Sequence, residues 1–406
     1  MSFELESTTF LNSDSEKKSM EWLHPHLWAH RHPGLGILYS SVALSTIANA
    51  LIGIFVPIFL YRSGYSLIQV LLFFMLSSLY FLLFAKAGVW AVARWGIRWS
   101  MLISIFFWIA YFAGLHFLPH FSYLFFILPC FLALKGVFHN FAFHLYFIEH
   151  SERKKIGHEV SATYSTIQWA SFLGPVVGGW ILVDSSWSIL LGLCVFLLVL
   201  SVLPLFLVPE RKQKVDFSYK DIWRDLLDRR NWGCVASFTG YSVESFINYV
   251  VWPIFLATLF SSLEKVGFLV SVSLCASLIV LHFAGKWFDG GLKKKLLNIS
   301  TGLFALGWLL RLFMRSSWSV GVMDSFKNIS GETLNVSWSA YNYDVAGKHF
   351  FRFIVFREII FNLGRTVFMP ILMFLIYVGA GFKVLFILGA LFSLLYAAMR
   401  PYHPAI

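Results

Sequence analysis

The sequence predicts an all-α polytopic membrane protein with twelve transmembrane helices in two six-helix halves. Three observations carry that expectation: too little charge for a chain dissolved in water, apolar runs of spanning length, and landmarks that recur at a fixed interval. Of 406 residues, 58% are hydrophobic and only 13% are charged, where a soluble domain carries about 25% charged residues. Folded in water, such a chain would expose much of its apolar surface, so lipid is its expected solvent.

Apolar stretches of about 20 residues, the length needed to cross a bilayer, place the spans. The first half holds 36–61, 67–92, 99–118, 123–147, 160–183 and 188–208, and the second holds 232–258, 267–288, 297–314, 319–343, 354–379 and 382–399. Span 319–343 is the weakest, because it carries Asp324, Lys327 and Glu332. The expected organisation is a cytoplasmic segment 1–34, a bundle 35–208, a central cytoplasmic loop 209–231, a bundle 232–400 and a tail 401–406. Orientation follows from the basic residues. With both termini inside, 23 of the 32 Lys and Arg fall on cytoplasmic segments and four on outer loops, the asymmetry of the positive-inside rule. Both termini are expected in the cytoplasm, and an inner, cytoplasmic membrane is the expected location.

The formal charge of +11 does not imply nucleic acid, because the basic residues form short clusters between apolar runs. Cys130, Cys194, Cys234 and Cys275 lie inside apolar runs without metal-ligand spacing, so they read as small packing residues. No cleavable signal peptide is expected: the first thirty residues are polar and the first apolar run is long enough to span. His24, His26, His30 and His32 are interleaved with Trp and Pro without a ligand rhythm, which favours an interfacial anchor over a metal site. Within the central loop, Ser218 with Asp221 reads as a helix start. Ile222, Trp223, Leu226 and Leu227 form an apolar edge, as in a short helix on the inner membrane surface. A solvated linker fits the same residues.

The second half repeats the first at an offset of 197 residues: Trp232 corresponds to Leu35, and Leu281–Gly285 to Phe84–Gly88. After Gly285 comes Lys286-Trp287-Phe288-Asp289-Gly290-Gly291-Leu292-Lys293-Lys294-Lys295. Here the chain resembles the major facilitator superfamily, whose loops after the second and eighth helices carry Gly-x-x-x-Asp followed by basic residues. The second copy, with Gly285 and Asp289, matches well. The first keeps Arg94, Gly96 and Arg98 but has Val92 or Ala93 where Asp is expected. Gly174-Pro175-Val176-Val177-Gly178-Gly179 is similar to the Gly-Pro-x-x-Gly-Gly pattern of the fifth helix in this superfamily, and Pro370 lies 195 residues after Pro175. Proline frees a backbone carbonyl and glycines admit a neighbouring helix, so a bend with close packing is expected. The resemblance implies two parallel six-helix repeats with a substrate site at mid-membrane, lined by helices 1, 4, 7 and 10.

Polar residues inside spans normally face a cavity or a partner, because lipid solvates them poorly. In the tenth span Asp324, Asn328, Gly331, Glu332, Asn335, Ser339 and Asn342 recur at steps of three or four and share a stripe. Lys327 lies beside it, one turn from both acids, and a salt bridge between Asp324 and Lys327 is the expected pairing. Tyr241, Glu244 and Asn248 share a face of the seventh span. Lys135 and His139 lie one turn apart in the fourth, and Asn49 ends a polar row in the first. The predicted cavity residues are therefore Asn49, Lys135, His139, Tyr241, Asn248, Lys327, Asn328 and Asn335. Glu244, then Glu332, then Asp324 are the candidate proton carriers. Arg357, Glu358 and Arg365 read as a cytoplasmic gate or brace.

No Gly-rich phosphate loop occurs, so ATP-driven pumping is not expected. No metal motif or nucleophile elbow points to an enzyme, and no cofactor is expected. The expected function is secondary transport of a small solute by a monomer in the lipid bilayer, coupled to protons. A scaffold built on a transporter fold is the alternative.

Overall fold

The structure is a computed structural model and describes residues 33–150, 156–184, 186–208, 210, 212, 217–287, 293–346 and 349–405. The N-terminal histidines and Asp289 of the loop motif lie outside these residues. Every regular element among the described residues is helical. In chain order they are α1 (Pro33–Ile52), α2 (Phe55–Arg62), α3 (Leu67–Phe117), α4 (Leu124–His150), α5 (Ile156–Ser171), α6 (Gly174–Asp184), α7 (Trp187–Leu205), α8 (Tyr219–Leu227), α9 (Trp232–Phe246), α10 (Trp252–Leu259), α11 (Leu263–Trp287), α12 (Lys293–Leu310), α13 (Ser317–Ala346), α14 (Phe350–Tyr377) and α15 (Phe382–Leu394). Among the described residues, eight helical stretches are long and apolar enough to cross a membrane. The protein is an integral, multi-pass membrane protein. Large apolar side chains such as Phe106 and Phe374 point outward, 65% and 62% exposed, where a lipid-facing surface wants them.

Glycine and proline set the breaks. A straight α3 of 51 residues would be about 76 Å long, more than twice a hydrocarbon core of about 30 Å. The chain instead turns at Gly96, whose φ of 88° and ψ of −178° are non-helical. The expected loop between the second and third spans is thus reduced to a one-residue hinge, in a backbone region that essentially only glycine occupies. Gly53 separates α1 from α2, and Pro175, which cannot donate into the helical ladder, follows the break between α5 and α6. Between α9 and α10 the chain widens into a π-helical turn, Ile247–Val251, just before Pro253. The span expected to be weakest, 319–343, is one continuous helix, α13, of 30 residues.

The glycines of the Gly-Pro motif lie where backbones nearly touch. A Cβ on Gly174 would strike Ala50 and one on Gly178 would strike the Leu51 carbonyl, both on α1. A Cβ on Gly179 would sit 2.8 Å from the Leu263 carbonyl at the start of α11. The motif therefore clamps α6 between its own half and the second half. The helix expected in the central loop is α8. Ser218 caps it by accepting from Lys220 N at 3.3 Å, while Ser218 N donates to Asp221 Oδ2 at 2.7 Å. Its inner face buries Ile222 and Asp225, and Leu227 stays exposed.

Candidate functional site

A cavity of about 860 Å³ lies between the two halves, within the range of about 300–1,000 Å³ typical of small-molecule sites. Its wall takes Asn49 from α1, Trp108 and Tyr111 from α3, Lys135, Asn140 and His144 from α4, and Tyr164 and Gln168 from α5. From the second half come Tyr241 and Asn248, Arg311, Asp324, Asn328, Trp338 and Tyr343, and Arg357, Glu358 and Arg365 of α14.

Of the residues expected at this site, Asn49, Lys135, Tyr241, Asn248, Asp324 and Asn328 line the cavity. His139 is off the wall, stacked on Phe143 with ring centroids 5.7 Å apart. Lys327 stands one layer back, donating to Asn248 Oδ1 at 2.9 Å with its ammonium 4.9 Å from the Phe304 ring centre. Glu332 and Asn335 are also off the wall, one helical turn apart on α13. Glu244 is 3% exposed. Its two oxygens accept from the Trp308 indole N–H and the Tyr396 hydroxyl, each at 2.9 Å.

Polar networks hold the wall. The expected Asp324–Lys327 pairing is replaced by Arg311 Nη2 donating to Asp324 Oδ1 at 2.6 Å. Arg311 comes from the 3₁₀ turn after α12, which the turn folds back against α13. The guanidinium also sits over Trp252, 3.7 Å from its ring centre, and donates to Asn248 Oδ1 at 3.1 Å. The second Asp324 oxygen accepts from Ser273 of α11 at 2.8 Å.

Arg357 and Glu358, read from sequence as charges at the membrane surface, are instead buried in the cavity wall, 5% and 3% exposed. They pair at 2.9 Å, and Asn140 of α4 donates to the other Glu358 oxygen at 2.8 Å, across the two halves. Further cross-half bonds join His144 with Tyr343 at 2.8 Å and Tyr164 with Ser339 at 3.0 Å. The Gln168 amide donates to Ser277 Oγ at 2.7 Å. The polar stripe of α13 is therefore divided: Asp324, Asn328 and Ser339 reach the cavity, whereas Gly331 packs under Phe304.

In the first of the two motif loops, Arg94 is exposed, and Arg98 approaches Glu210 beyond the end of α7 at 3.2 Å. At the other end of the cavity the halves touch through Arg62, which donates to the Ser261 carbonyl at 2.7 Å, and Trp180, which donates to Glu264 at 3.0 Å.

The sequence profile of the Major Facilitator Superfamily matches residues 38–244, half of the chain. No curated protein matches the sequence. Among solved structures, the crystal structure of the human organic anion transporter MFSD10 (TETRAN) is similar, with a TM-score of 0.65 and 14% identity. The match covers 90% of this chain and 98% of that one. At that identity the likeness is one of fold.

Proposed function

The chain belongs to the Major Facilitator Superfamily, a family of membrane transporters, and on that premise we propose that it moves a small solute by alternating access, as a proton-coupled secondary transporter. The observation that carries this reading is the cavity of about 860 Å³, walled by both halves and holding charged side chains from each. Rocking two bundles about such a site exposes it to one side and then the other. The cross-half bonds, Asn140–Glu358 among them, are of the kind that must break and reform in each cycle. The fold likeness to a solved transporter agrees with this role.

The accompanying architecture is twelve spans in two parallel six-helix repeats, 35–208 and 232–400. Both termini are cytoplasmic, and a monomer in the inner membrane is the working unit. The basic-residue asymmetry and the hinge at Gly96, which splits α3 into two spans, support it. In a cysteine-free background, Ser63→Cys should react with an impermeant reagent from outside and Lys295→Cys only from inside; labelling of both from one side would defeat the topology. Transport is tested in proteoliposomes. Ligands that stabilise the purified protein against heat should be taken up under an imposed pH gradient, and binding without flux for every such ligand would favour a scaffold.

A further inference from the structure

We propose that the cavity takes an organic anion, its negative group seated between Lys135 of α4 and Arg365 of α14. The proposal rests on the reading of this cavity as the substrate site. Charge bookkeeping on the wall starts it. Lys135, Arg311, Arg357 and Arg365 face Asp324 and Glu358, which leaves two positive charges in excess. The pair behind the wall, Glu244 and Lys327, cancels. Even an ionised Glu332, also behind the wall, leaves a surplus of one.

Hydrogen bonding shows which cations carry the excess. Asp324 is taken by Arg311 and Ser273, and Glu358 by Arg357 and Asn140. Both carboxylates are neutralised and satisfied at each oxygen. Lys135 has no hydrogen bond or ion pair among the described residues, and its ammonium lies 3.9 Å from the centre of the Trp108 ring. Among the described residues Arg365 donates only to neutral groups, the Ser242 carbonyl at 3.3 Å and Ser245 Oγ at 3.2 Å. That leaves most of its five N–H donors for a ligand. Both cations are half-buried on the cavity wall; a cation at membrane depth without a counter-ion is poorly solvated, and a bound anion supplies the missing charge.

The two cations also lie at similar depth. Phe147, near the end of α4, and Phe350, at the start of α14, both contact the Tyr343 ring, with centroids 5.1 and 5.6 Å away. Further along, Asn140 meets Glu358, so the helices run antiparallel. From that contact, at 1.5 Å per residue, Lys135 lies about 7.5 Å and Arg365 about 10.5 Å in the same direction. Both cations therefore face the same level of the cavity, where the carboxylate, sulfonate or phosphate of a solute is placed. The volume and the aromatic wall, with Trp108 and Trp338 prominent, call for an organic body on that anion rather than an inorganic ion.

The test uses the full-length protein in nanodiscs with matched probes: benzoate and 2-naphthoate, 2-naphthamide as the neutral isostere, and 2-naphthylmethylamine as the cation. The carboxylates at millimolar concentration should raise the melting temperature, and the amide and amine should not. Lys135→Met and Arg365→Gln should each weaken 2-naphthoate binding about tenfold or more, and Lys135→Arg should retain it. The unliganded Lys135→Met protein should melt no lower than the parent, since it loses an uncompensated charge. A merely structural lysine would lower that melting point. Equal binding of amide and carboxylate, preference for the amine, no shift with either carboxylate, or undiminished binding in both charge-removing variants would overturn the proposal. Uptake of a neutral or cationic solute with no anion preference would defeat the anion site and leave the transport reading standing. Anion binding without flux would do the reverse.

Discussion

Arg311 and Asp324 form an ion pair of 2.6 Å whose side chains are 1% and 3% exposed, joining the turn after α12 to α13. Asp324→Asn leaves the guanidinium without its counter-charge, so the expected loss is about 3–5 kcal/mol of stability. The paired variant Arg311→Met, Asp324→Asn should recover part of it, because both charges are then gone. Thermal unfolding of the four proteins in one detergent checks the cycle. Additive losses would mean that the pair does not interact.

How far the sequence reveals this site depends on the range of each contact. Helical, membrane-spanning character, the Ser218 cap and the close approach of the Gly-Pro glycines are local patterns of length, period or motif, and the structure contains each of them. The α13 stripe was visible at helical spacing, but which part of it meets the cavity depends on neighbours such as Phe304, which carry no local signal. Arg311 lies 13 residues from Asp324, across a turn. Only the fold brings it closer than Lys327, which is one helical turn away. Arg357 and Glu358 stand near the start of an apolar run, which by sequence suggests a surface position, whereas their helix packs against α3, α4 and α9. An arginine inside an apolar run is the signal that could have found Arg311.

Gly96 carries the kink within α3 in a backbone conformation essentially closed to other residues. Gly96→Ala should cost about 1–3 kcal/mol, with the loss seen as lower folded yield and a lower melting point. Gly192, inside α7 with open space around it, is the control, and its alanine variant should be neutral or stabilising. Equal behaviour of the two variants would remove the strain argument.

The C-terminal tail is fastened to the central loop through one buried carboxylate. Asp225 accepts from Arg352 at 2.7 Å to each oxygen, from Ala405 N at 2.7 Å and from the Tyr402 hydroxyl. Truncation after Arg400 should expose α8 to limited proteolysis under conditions where the parent resists. Burial, and then the adjacent carboxylate, push the Tyr402 hydroxyl well above its usual value of 10.0. A group whose pKa is raised by folding contributes stability that is complete below its unfolded pKa and is lost as pH rises through the folded one. Stability should thus begin to fall above about pH 10, and Tyr402→Phe should flatten that alkaline decline. An unchanged alkaline limb would show that the hydroxyl is not part of the clamp.

Gly179 lets α6 approach the Leu263 carbonyl on the other half of the protein. Gly179→Val should push the halves apart at that end. Asn248→Cys, on the cavity wall, should then react at least severalfold faster with an impermeant thiol reagent than in the parent. The substitution is expected to favour one face of the cycle and so slow net transport while ligand binding persists. Unchanged labelling would show that this contact does not hold the cavity closed.

Proton coupling requires a carboxyl group that gains and loses its proton without disrupting its surroundings, and the hydrogen-bond partners of the three acids differ on that point. Asp324 receives two bonds besides its ion pair with Arg311, from Ser273 and, at 3.4 Å, from Asn328. Protonating it would strand a buried guanidinium. Glu244 accepts from an indole N–H, which can only donate, and from the Tyr396 hydroxyl, which can also accept. A proton added to the oxygen facing Tyr396 is accommodated by reversing that one hydroxyl, so both charge states keep their hydrogen bonds. Tyr396 in turn contacts Tyr241 of the cavity wall, ring centroids 5.9 Å apart. Glu332, like Glu244, stands behind the wall; it lies one helical turn from the Asn335 amide, which can offer either its N–H or its oxygen. The expected order of importance is Glu244, then Glu332, then Asp324. Glu244→Gln should abolish uptake driven by a pH gradient in proteoliposomes while leaving exchange of solute at equal pH near the parental rate. Glu332→Gln should reduce the gradient response in part, and Asp324→Asn should act through stability. Full gradient-driven uptake by the Glu244→Gln, Glu332→Gln double variant would remove both carriers from the mechanism and leave a transporter driven by another ion or by the solute gradient alone.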